Sequence, residues 1–196
     1  MKLENLLNAK QIDCYNINKE KEKDNYYRNN DYTEKEKEYT TLLREKLDDY
    51  TSVVGGKSIN SFLETRFFND LGFISTIKVS DDVVNVFFCG NTVEEAFLNI
   101  ILTYEVVKAV EFEYWYRDIY EEEYYKRSGN DNYYNAIIYA ELPLQSLKKY
   151  YKDNLPEELV SMFENFVNNS TGHTYKFDFD KNHFVRIKTK KQSSSK

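Results

Sequence analysis

The sequence predicts an α+β protein: a helix-rich single domain with a long central helix packed on a small antiparallel sheet made of two hairpins. Three observations predict this class. Residues 91–127 contain neither Gly nor Pro and keep helical periodicity. Two stretches, 73–89 and 175–187, each pair two β-prone apolar runs around a short polar turn. Most of the other apolar residues recur at helical spacing, so we expect helices to outnumber strands.

The N-terminal segment, residues 1–32, is predicted to be partly flexible. Charged residues dominate it from Asn18 onward, so it buries too little apolar surface to offset its chain entropy. Thr33 then begins a helix, because Glu36 stands three residues later as in a capping box. Gly55-Gly56 ends that helix.

A second helix is predicted to begin at Ser58 and to end before Gly72. Its apolar residues keep helical spacing: Ile59, Phe62, Leu63, Phe67 and Leu71. After Gly72, β-branched and aromatic residues fill 73–79 and 83–89 on either side of Ser80-Asp81-Asp82. We therefore expect the first hairpin there.

The long helix is predicted to run from Asn91 to Arg127, with Thr92 and Glu95 as its capping box. As far as Phe112 apolar residues cover nearly every side, which is typical of a helix at the centre of a core. From Glu113 onward the apolar side chains are mostly aromatic and alternate with acids. This half is expected to leave the core as an acidic, tyrosine-lined surface.

The C-terminal part is predicted to contain two helices and the second hairpin. Tyr133–Leu142 is compatible with either a strand or a helix. Pro143 suits the first turn of a helix that ends near Asn154, and Pro156 opens another. The hairpin follows at 175–187. Residues 189–196 have no apolar side chain and are expected to form a disordered basic tail, which leaves 33–188 as the globular domain.

The net charge of −6 is unevenly distributed. Six of the 27 basic residues and none of the 33 acidic residues lie in 181–196, so residues 1–180 carry a net charge of −12. An acidic body with a basic tail indicates a basic partner for the body, or pairing of the tail with the body. Solubility with a solvated tail explains the same distribution and is the simpler interpretation. Cys14 and Cys89 have no metal-like spacing and are expected to be free thiols. We find no signal peptide and no run of about 20 apolar residues, so we expect a cytoplasmic protein without a membrane span.

The sequence favours a protein that is not an enzyme and binds no cofactor. It contains no nucleophile elbow, zinc-binding helix motif, Cys-x-x-Cys pair or dinucleotide glycine pattern, and only two His as candidate bases. One alternative is a divalent-metal-dependent enzyme, because carboxylates and imidazole meet at the second hairpin. Its ligands would be Asp178, Asp180 and His183. A solvated hairpin turn explains the same residues.

A protein-binding surface is predicted on the second half of the long helix. Tyr and Trp are typical anchors of interface hot spots, and carboxylates steer a basic partner. The predicted partner-binding residues are Glu113, Trp115, Tyr116, Asp118, Tyr120, Glu121, Glu122 and Tyr124. Packing of these tyrosines against the Tyr133–Tyr139 segment, with the acids merely solvated, is the competing interpretation.

A nucleic-acid-associated protein is the alternative function. Its basic residues would be Arg186, Lys188, Lys190 and Lys191, next to the hairpin aromatics, since stacked rings beside a basic strand hold single strands. The acidic remainder opposes this, because it repels phosphate at long range.

The interpretation we adopt is a non-enzymatic acidic protein that engages, and inhibits, a basic nucleic-acid-binding protein. Spaced carboxylates on a rigid helix can imitate a phosphate backbone. Abundant Lys, Asn and Tyr with only 2 Pro and 6 Gly indicate an AT-rich genome, which is consistent with a phage or mobile element. No motif covers enough of the chain to indicate a family.

Overall fold

A computed structural model describes residues 33–78, 84–128 and 134–187. The chain divides into two compact units between Tyr104 and Glu105. The predicted flexible segment 1–32 and tail 189–196 lie outside the described residues, and the assignment of 33–188 to one domain stays a prediction. The elements are α1 (Glu34–Val54), α2 (Ile59–Phe62), β1 (Glu64–Phe68), β2 (Gly72–Lys78), β3 (Val84–Gly90), α3 (Val93–Ile119), α4 (Glu121–Ser128), α5 (Tyr134–Tyr151), a 3-10 turn (Lys152–Asn154), α6 (Glu157–Thr171), β4 (Tyr175–Asp178) and β5 (His183–Arg186).

The α+β class, the long central helix and the antiparallel hairpins are confirmed. In the described residues the strands form two separate sheets, one of order β1-β2-β3 and one of order β4-β5. The two predicted hairpins therefore belong to different sheets, and a third strand, β1, joins the first hairpin. None of the helices in the described part of the chain is both long and apolar enough to cross a membrane.

The capping box at the start of α1 is confirmed. The Thr33 Oγ1 accepts the Glu36 amide at 3.2 Å, and the Glu36 carboxylate accepts the Thr33 amide at 3.0 Å. Leu43, Leu47 and Tyr50 recur at helical spacing and are fully buried. The helix therefore begins and ends where its local signals place it, at Thr33 and at Gly55.

The predicted helix from Ser58 to Leu71 is wrong. After the single turn of α2 the chain becomes strand β1, in which Thr65 and Phe67 are buried while Glu64 is exposed. The alternating burial of a strand prevails over the helical spacing because β1 pairs with β2 and buries both residues against it. The Thr65 and Ser75 hydroxyls, opposite each other in the register, lie 2.6 Å apart.

The first predicted hairpin is confirmed as β2 and β3, whose turn at 80–82 lies outside the described residues. β2 is thus the central strand of its sheet, with β1 on its other side. The ladder slips between Phe73 and Ile74, next to Gly72. The buried Cys89 thiol donates to the Ser75 hydroxyl at 2.9 Å, and burial raises the pKa of this thiol to about 11. It is consequently an inert thiol.

The predicted helix from Asn91 to Arg127 is wrong at its C-terminal end. One half of its predicted capping box is present, since Thr92 Oγ1 accepts the Glu95 amide at 3.2 Å. The Glu95 carboxylate accepts the amide of Asn91, one residue before Thr92, at 2.9 Å. However, α3 ends at Ile119, and α4 begins after a bend at Tyr120. The three acids that follow, Glu121, Glu122 and Glu123, favour a new helix N-terminus because they face its positive dipole end.

Tyr133–Leu142, predicted as strand or helix, lies within α5 apart from Tyr133, which is outside the described residues. Ala136, Ala140, Leu144 and Leu147 are buried at helical spacing, so packing selects the helix. The position predicted for Pro143 is wrong: it lies in the interior of α5, not in a first turn. Proline removes the amide that would bond the Tyr139 carbonyl, and the buried apolar stripe maintains the helix across that gap.

The second hairpin, β4 and β5, is confirmed, and helix carboxylates hold both of its strands. Glu164 of α6 accepts the Phe177 amide at 3.1 Å and pairs with Lys176. Glu141 of α5 accepts the Phe184 amide at 2.9 Å. Each bond fills the hydrogen-bonding capacity of a strand amide that the short two-stranded ladder leaves open. Pro156 precedes α6 as predicted.

Candidate protein-binding surface

A contiguous exposed patch occupies the end of α3 and the bend after it. Among the described residues ten large hydrophobic side chains are exposed, and half of them lie between 112 and 120. Exposed carboxylates accompany them on α3 and α4. We call the following set the acidic aromatic face: Glu111, Phe112, Tyr114, Trp115, Asp118, Ile119, Tyr120, Glu121 and Glu122.

The helical repeat of α3 explains why these side chains share one side. Phe112, Trp115 and Ile119 follow a spacing of three and four residues, which places them in one row. Ring contacts join the row to its neighbours, with Trp115 lying 5.9 Å from Phe112 and 5.7 Å from Tyr120 between centroids. The Trp115 side chain is 52% exposed and that of Ile119 is 61% exposed. The row is therefore an outward apolar strip and not a core stripe.

On the opposite side of α3, Glu113 is buried and organises a polar cluster. Tyr124 of α4 donates to Glu113 Oε1 at 2.7 Å, and Tyr139 of α5 donates to Oε2 at 3.2 Å. Arg117 lies 3.8 Å from the same carboxylate. The buried carboxylate therefore receives hydrogen bonds from two further helices. Because each of its oxygens accepts one, these bonds offset the free energy lost when the group leaves water.

The bend at Tyr120 is what makes this cluster possible. In a straight helix residues 113 and 124 would lie about 16 Å apart along the axis, beyond the combined reach of both side chains. Burial, together with the Glu113 carboxylate, raises the pKa of Tyr139 to about 12. The same two causes raise the pKa of Tyr124 as well. Both hydroxyls therefore remain protonated donors at neutral pH.

Tyr116 connects the buried cluster to the exposed face. Its ring stacks on Phe112 with centroids 5.8 Å apart and planes 10° apart, and it contacts Tyr120 at 5.4 Å. Its hydroxyl is buried and meets no hydrogen-bond partner within the described ranges. Tyr124 in turn packs edge-on against Tyr134 at 5.4 Å. An aromatic layer therefore backs the acidic aromatic face.

The residues predicted to bind a partner accordingly divide into two groups. Glu113 and Tyr124 are buried and Tyr116 is half-buried, so these three support the surface. The other five are exposed on it: Trp115, Asp118, Tyr120, Glu121 and Glu122. Sequence reasoning missed two residues of the face: it assigned Phe112 to the core and did not select Ile119. Their spacing of three and four residues from Trp115 was the available signal.

The residues of the nucleic-acid alternative are only partly described. Arg186 is exposed at the end of β5, where its guanidinium lies 3.0 Å from the His173 Nδ1. Lys188, Lys190 and Lys191 lie outside the described residues. The structure therefore places one of the four predicted basic side chains beside the hairpin and leaves the prediction for the others as it stood.

Two of the three candidate metal ligands, Asp178 and His183, have side chains with other partners in the hairpin turn. Asp178 Oδ1 accepts the amides of Asp180 and Lys181 at 3.1 and 3.0 Å. These bonds, with the Lys181 side chain, hold the pKa of Asp178 below its ordinary value. The His183 Nδ1 lies 3.0 Å from the Lys181 carbonyl. Within 33–78, 84–128 and 134–187, no group of three His, Cys, Asp or Glu is arranged to hold a metal ion.

Comparison with known proteins identifies no relative: no protein-family model, curated protein or solved structure matches the chain. The chemistry of its own surface residues is therefore what indicates a function.

Proposed function

We propose that this protein is a non-enzymatic binding protein that engages a basic protein through its acidic aromatic face. We propose further that the partner binds nucleic acid and is inhibited when bound. One observation carries the proposal: half of the exposed large hydrophobic side chains in the described residues lie between 112 and 120, among exposed carboxylates.

The composition of the face matches that of an interface core. Trp and Tyr are enriched among residues that dominate binding energy, and Trp115, Tyr114 and Tyr120 stand exposed together. Burial of such rings removes large apolar areas from water, and the free energy gained is about 25 cal/mol per Å² of apolar area. Their exposure to water is unfavourable in the free protein, and a partner that covers them removes this cost. We therefore expect this strip to be the anchor of the complex.

The surrounding charges select the kind of partner. Asp118, Glu121 and Glu122 border the aromatic strip, and residues 1–180 together carry a net charge of −12. A negative field of this kind accelerates encounter with a basic protein and disfavours acidic ones. A surface that binds phosphates is also basic, so these carboxylates would compete with nucleic acid for the same site.

The buried cluster prepares the face for binding. Because Glu113 ties α3 to α4 and α5, the bend at Tyr120 is held in place before a partner arrives. A surface that is already ordered loses less conformational entropy on association. The buried cluster around Glu113 thus favours affinity without contacting the partner.

The test is capture from a nuclease-treated lysate with three versions of the protein. The first is unchanged. The second reverses charge on the face, through Asp118→Lys, Glu121→Lys and Glu122→Lys. The third reverses the exposed acids of α1 to the same extent, through Glu38→Lys, Glu45→Lys and Asp49→Lys.

We expect the unchanged protein and the α1 variant to capture the same basic protein, which leaves the column at moderate salt. The face variant should lose it. Equal loss in both variants would indicate an effect of net charge alone, and retention by the face variant would refute the proposal. The captured protein should also bind nucleic acid more weakly when this protein is added.

A further inference from the structure

We infer that the acidic aromatic face recognises arginine side chains in preference to lysine, with the guanidinium stacked on Trp115 and paired with Glu111 and Asp118. This inference rests on the proposed function and specifies the chemistry of its partner. Four features of the surface support it: the exposed ring, the position of the carboxylates, the planarity of the ligand group and an arginine already held nearby.

Trp115 has carboxylates on one side and apolar groups on the other. Glu111 precedes it by four residues and Asp118 follows it by three, which puts them about 40° and 60° from it around the helix in the same direction. Phe112 and Ile119 lie at similar angles in the opposite direction. Both acids are exposed. A cation that covers the indole is thus within reach of a carboxylate one turn before and one turn after.

The geometry suits a guanidinium better than an ammonium. A guanidinium is planar, stacks on an aromatic face and presents several N–H donors in its plane. It can therefore cover the indole and, at the same time, donate sideways to Glu111 and Asp118. An ammonium is a compact, strongly hydrated charge that must lose more water to cover the ring. Both cations are attracted by the acids, but only the guanidinium can stack on the ring and donate to the acids together, so the preference depends on the ring.

A guanidinium already lies against the same stretch of helix. The Cζ atom of Arg117 is 4.8 Å from the centroid of the Tyr114 ring, and its Nε is 3.9 Å from Asp118. The molecule itself therefore shows that an adjacent ring and carboxylate on α3 accommodate a stacked arginine. The Asp118 side chain remains 74% exposed, which leaves it open to a second donor.

The experiment compares an oligoarginine peptide with an oligolysine peptide of equal length, each carrying a fluorescent label. Binding is followed by the anisotropy of the label at one fixed ionic strength. Trp115 is the only tryptophan, so its own fluorescence reports independently whether the peptide covers this site. We expect the arginine peptide to bind about five-fold more tightly, as an exposed cation–π contact implies, and to change the Trp115 emission.

Two variants locate the preference. Trp115→Leu keeps an apolar side chain on the helix and removes the ring, so both peptides should bind it with equal, weakened affinity. Phe179→Leu makes a comparable change at another exposed ring, on the hairpin, and should leave the preference intact. An arginine preference that survives Trp115→Leu would overturn the assignment to this ring.

The remaining outcomes separate this inference from the proposed function. If both peptides bind equally to the unchanged protein, and charge reversal at Asp118, Glu121 and Glu122 abolishes binding, the arginine preference is refuted while the basic-partner proposal stands. If neither peptide binds and no basic protein is captured from lysate, both are refuted.

Discussion

The Tyr124 hydroxyl donates a hydrogen bond to the buried Glu113 carboxylate at 2.7 Å, across eleven residues and a bend in the chain. Two residues that the sequence places on one acidic, aromatic surface thus turn inward to each other. Tyr139 donates to the same carboxylate from α5, so Glu113 links the three helices α3, α4 and α5. The residues left outside by this arrangement are those of the acidic aromatic face.

Tyr124→Phe should destabilise the protein by about 1.5–3 kcal/mol, the range for a lost hydrogen bond to a charged group. The ring remains, so the loss measures the hydroxyl and not its packing. Urea unfolding gives the free energy directly. Tyr120→Phe is the matched control: its side chain is exposed, so we expect a change within about 0.5 kcal/mol. Equal effects of the two changes would contradict the role assigned to Glu113.

The same cluster predicts sensitivity to alkaline pH. Burial and Glu113 raise the pKa of Tyr139 to about 12, above the value of about 10 expected in the unfolded chain. Since the folded state binds this proton more tightly, its stabilising contribution is complete below pH 10 or so and is lost as pH rises toward 12. Tyr124, whose pKa is also raised, adds to the loss.

The variant with both Tyr124→Phe and Tyr139→Phe should therefore lose less stability than the unchanged protein between about pH 10 and 12. Stability would be measured by urea unfolding at each pH. If the free energy of unfolding fell equally with pH in both proteins, the pKa values of these hydroxyls would not differ between the folded and unfolded states.

Glu141→Gln should stabilise the protein at neutral pH. Burial raises the pKa of Glu141 despite its bond to the Phe184 amide, so the charged form is disfavoured in the folded state. Gln keeps an oxygen acceptor for that amide and removes the charge. A raised carboxyl pKa contributes stability that is complete below the unfolded value near 4.5 and is lost as pH rises through the folded value. The advantage of Gln should therefore vanish as pH falls to about 4.5.

Glu164→Gln is the matched control for that change. Glu164 also accepts a strand amide, but it pairs with Lys176 as well. Loss of its charge should cost roughly 1 kcal/mol at neutral pH, since an ion pair is broken while the amide acceptor remains. Thermal unfolding of the two variants side by side checks the opposite signs, and destabilisation by both would refute the account of Glu141.

Gly72→Ala should be much more damaging than Gly172→Ala. Both glycines have positive φ, 76° and 67°. A Cβ at Gly172 meets no atom within 4 Å, so Ala there should cost only the left-handed backbone penalty of about 1 kcal/mol. A Cβ at Gly72 would lie 2.6 Å from the Gly90 carbonyl oxygen. Displacement of that strand should add roughly 2 kcal/mol, measurable by urea unfolding. Equal losses would contradict this close approach.

The sequence by itself determined the elements whose signals are local. Neighbouring positions suffice to predict the capping box at Thr33, the N-cap bond of Thr92, the glycine after α1 and the hairpin turn at 180–182, because these signals act within a few residues. The α+β class follows from the same short-range patterns. So does the presence of exposed acids beside aromatics on α3.

Only the tertiary structure decided the features that depend on distant partners. Phe67 fits a helix by its spacing, yet pairing with β2 makes it part of a strand. Pro143 looks like a helix start, yet the buried stripe of α5 carries the helix through it. Glu113 looks like a surface acid, yet Tyr124 and Tyr139 bury it. In each case the free energy of long-range burial and pairing exceeds the local preference, and nothing in the neighbouring sequence encodes it.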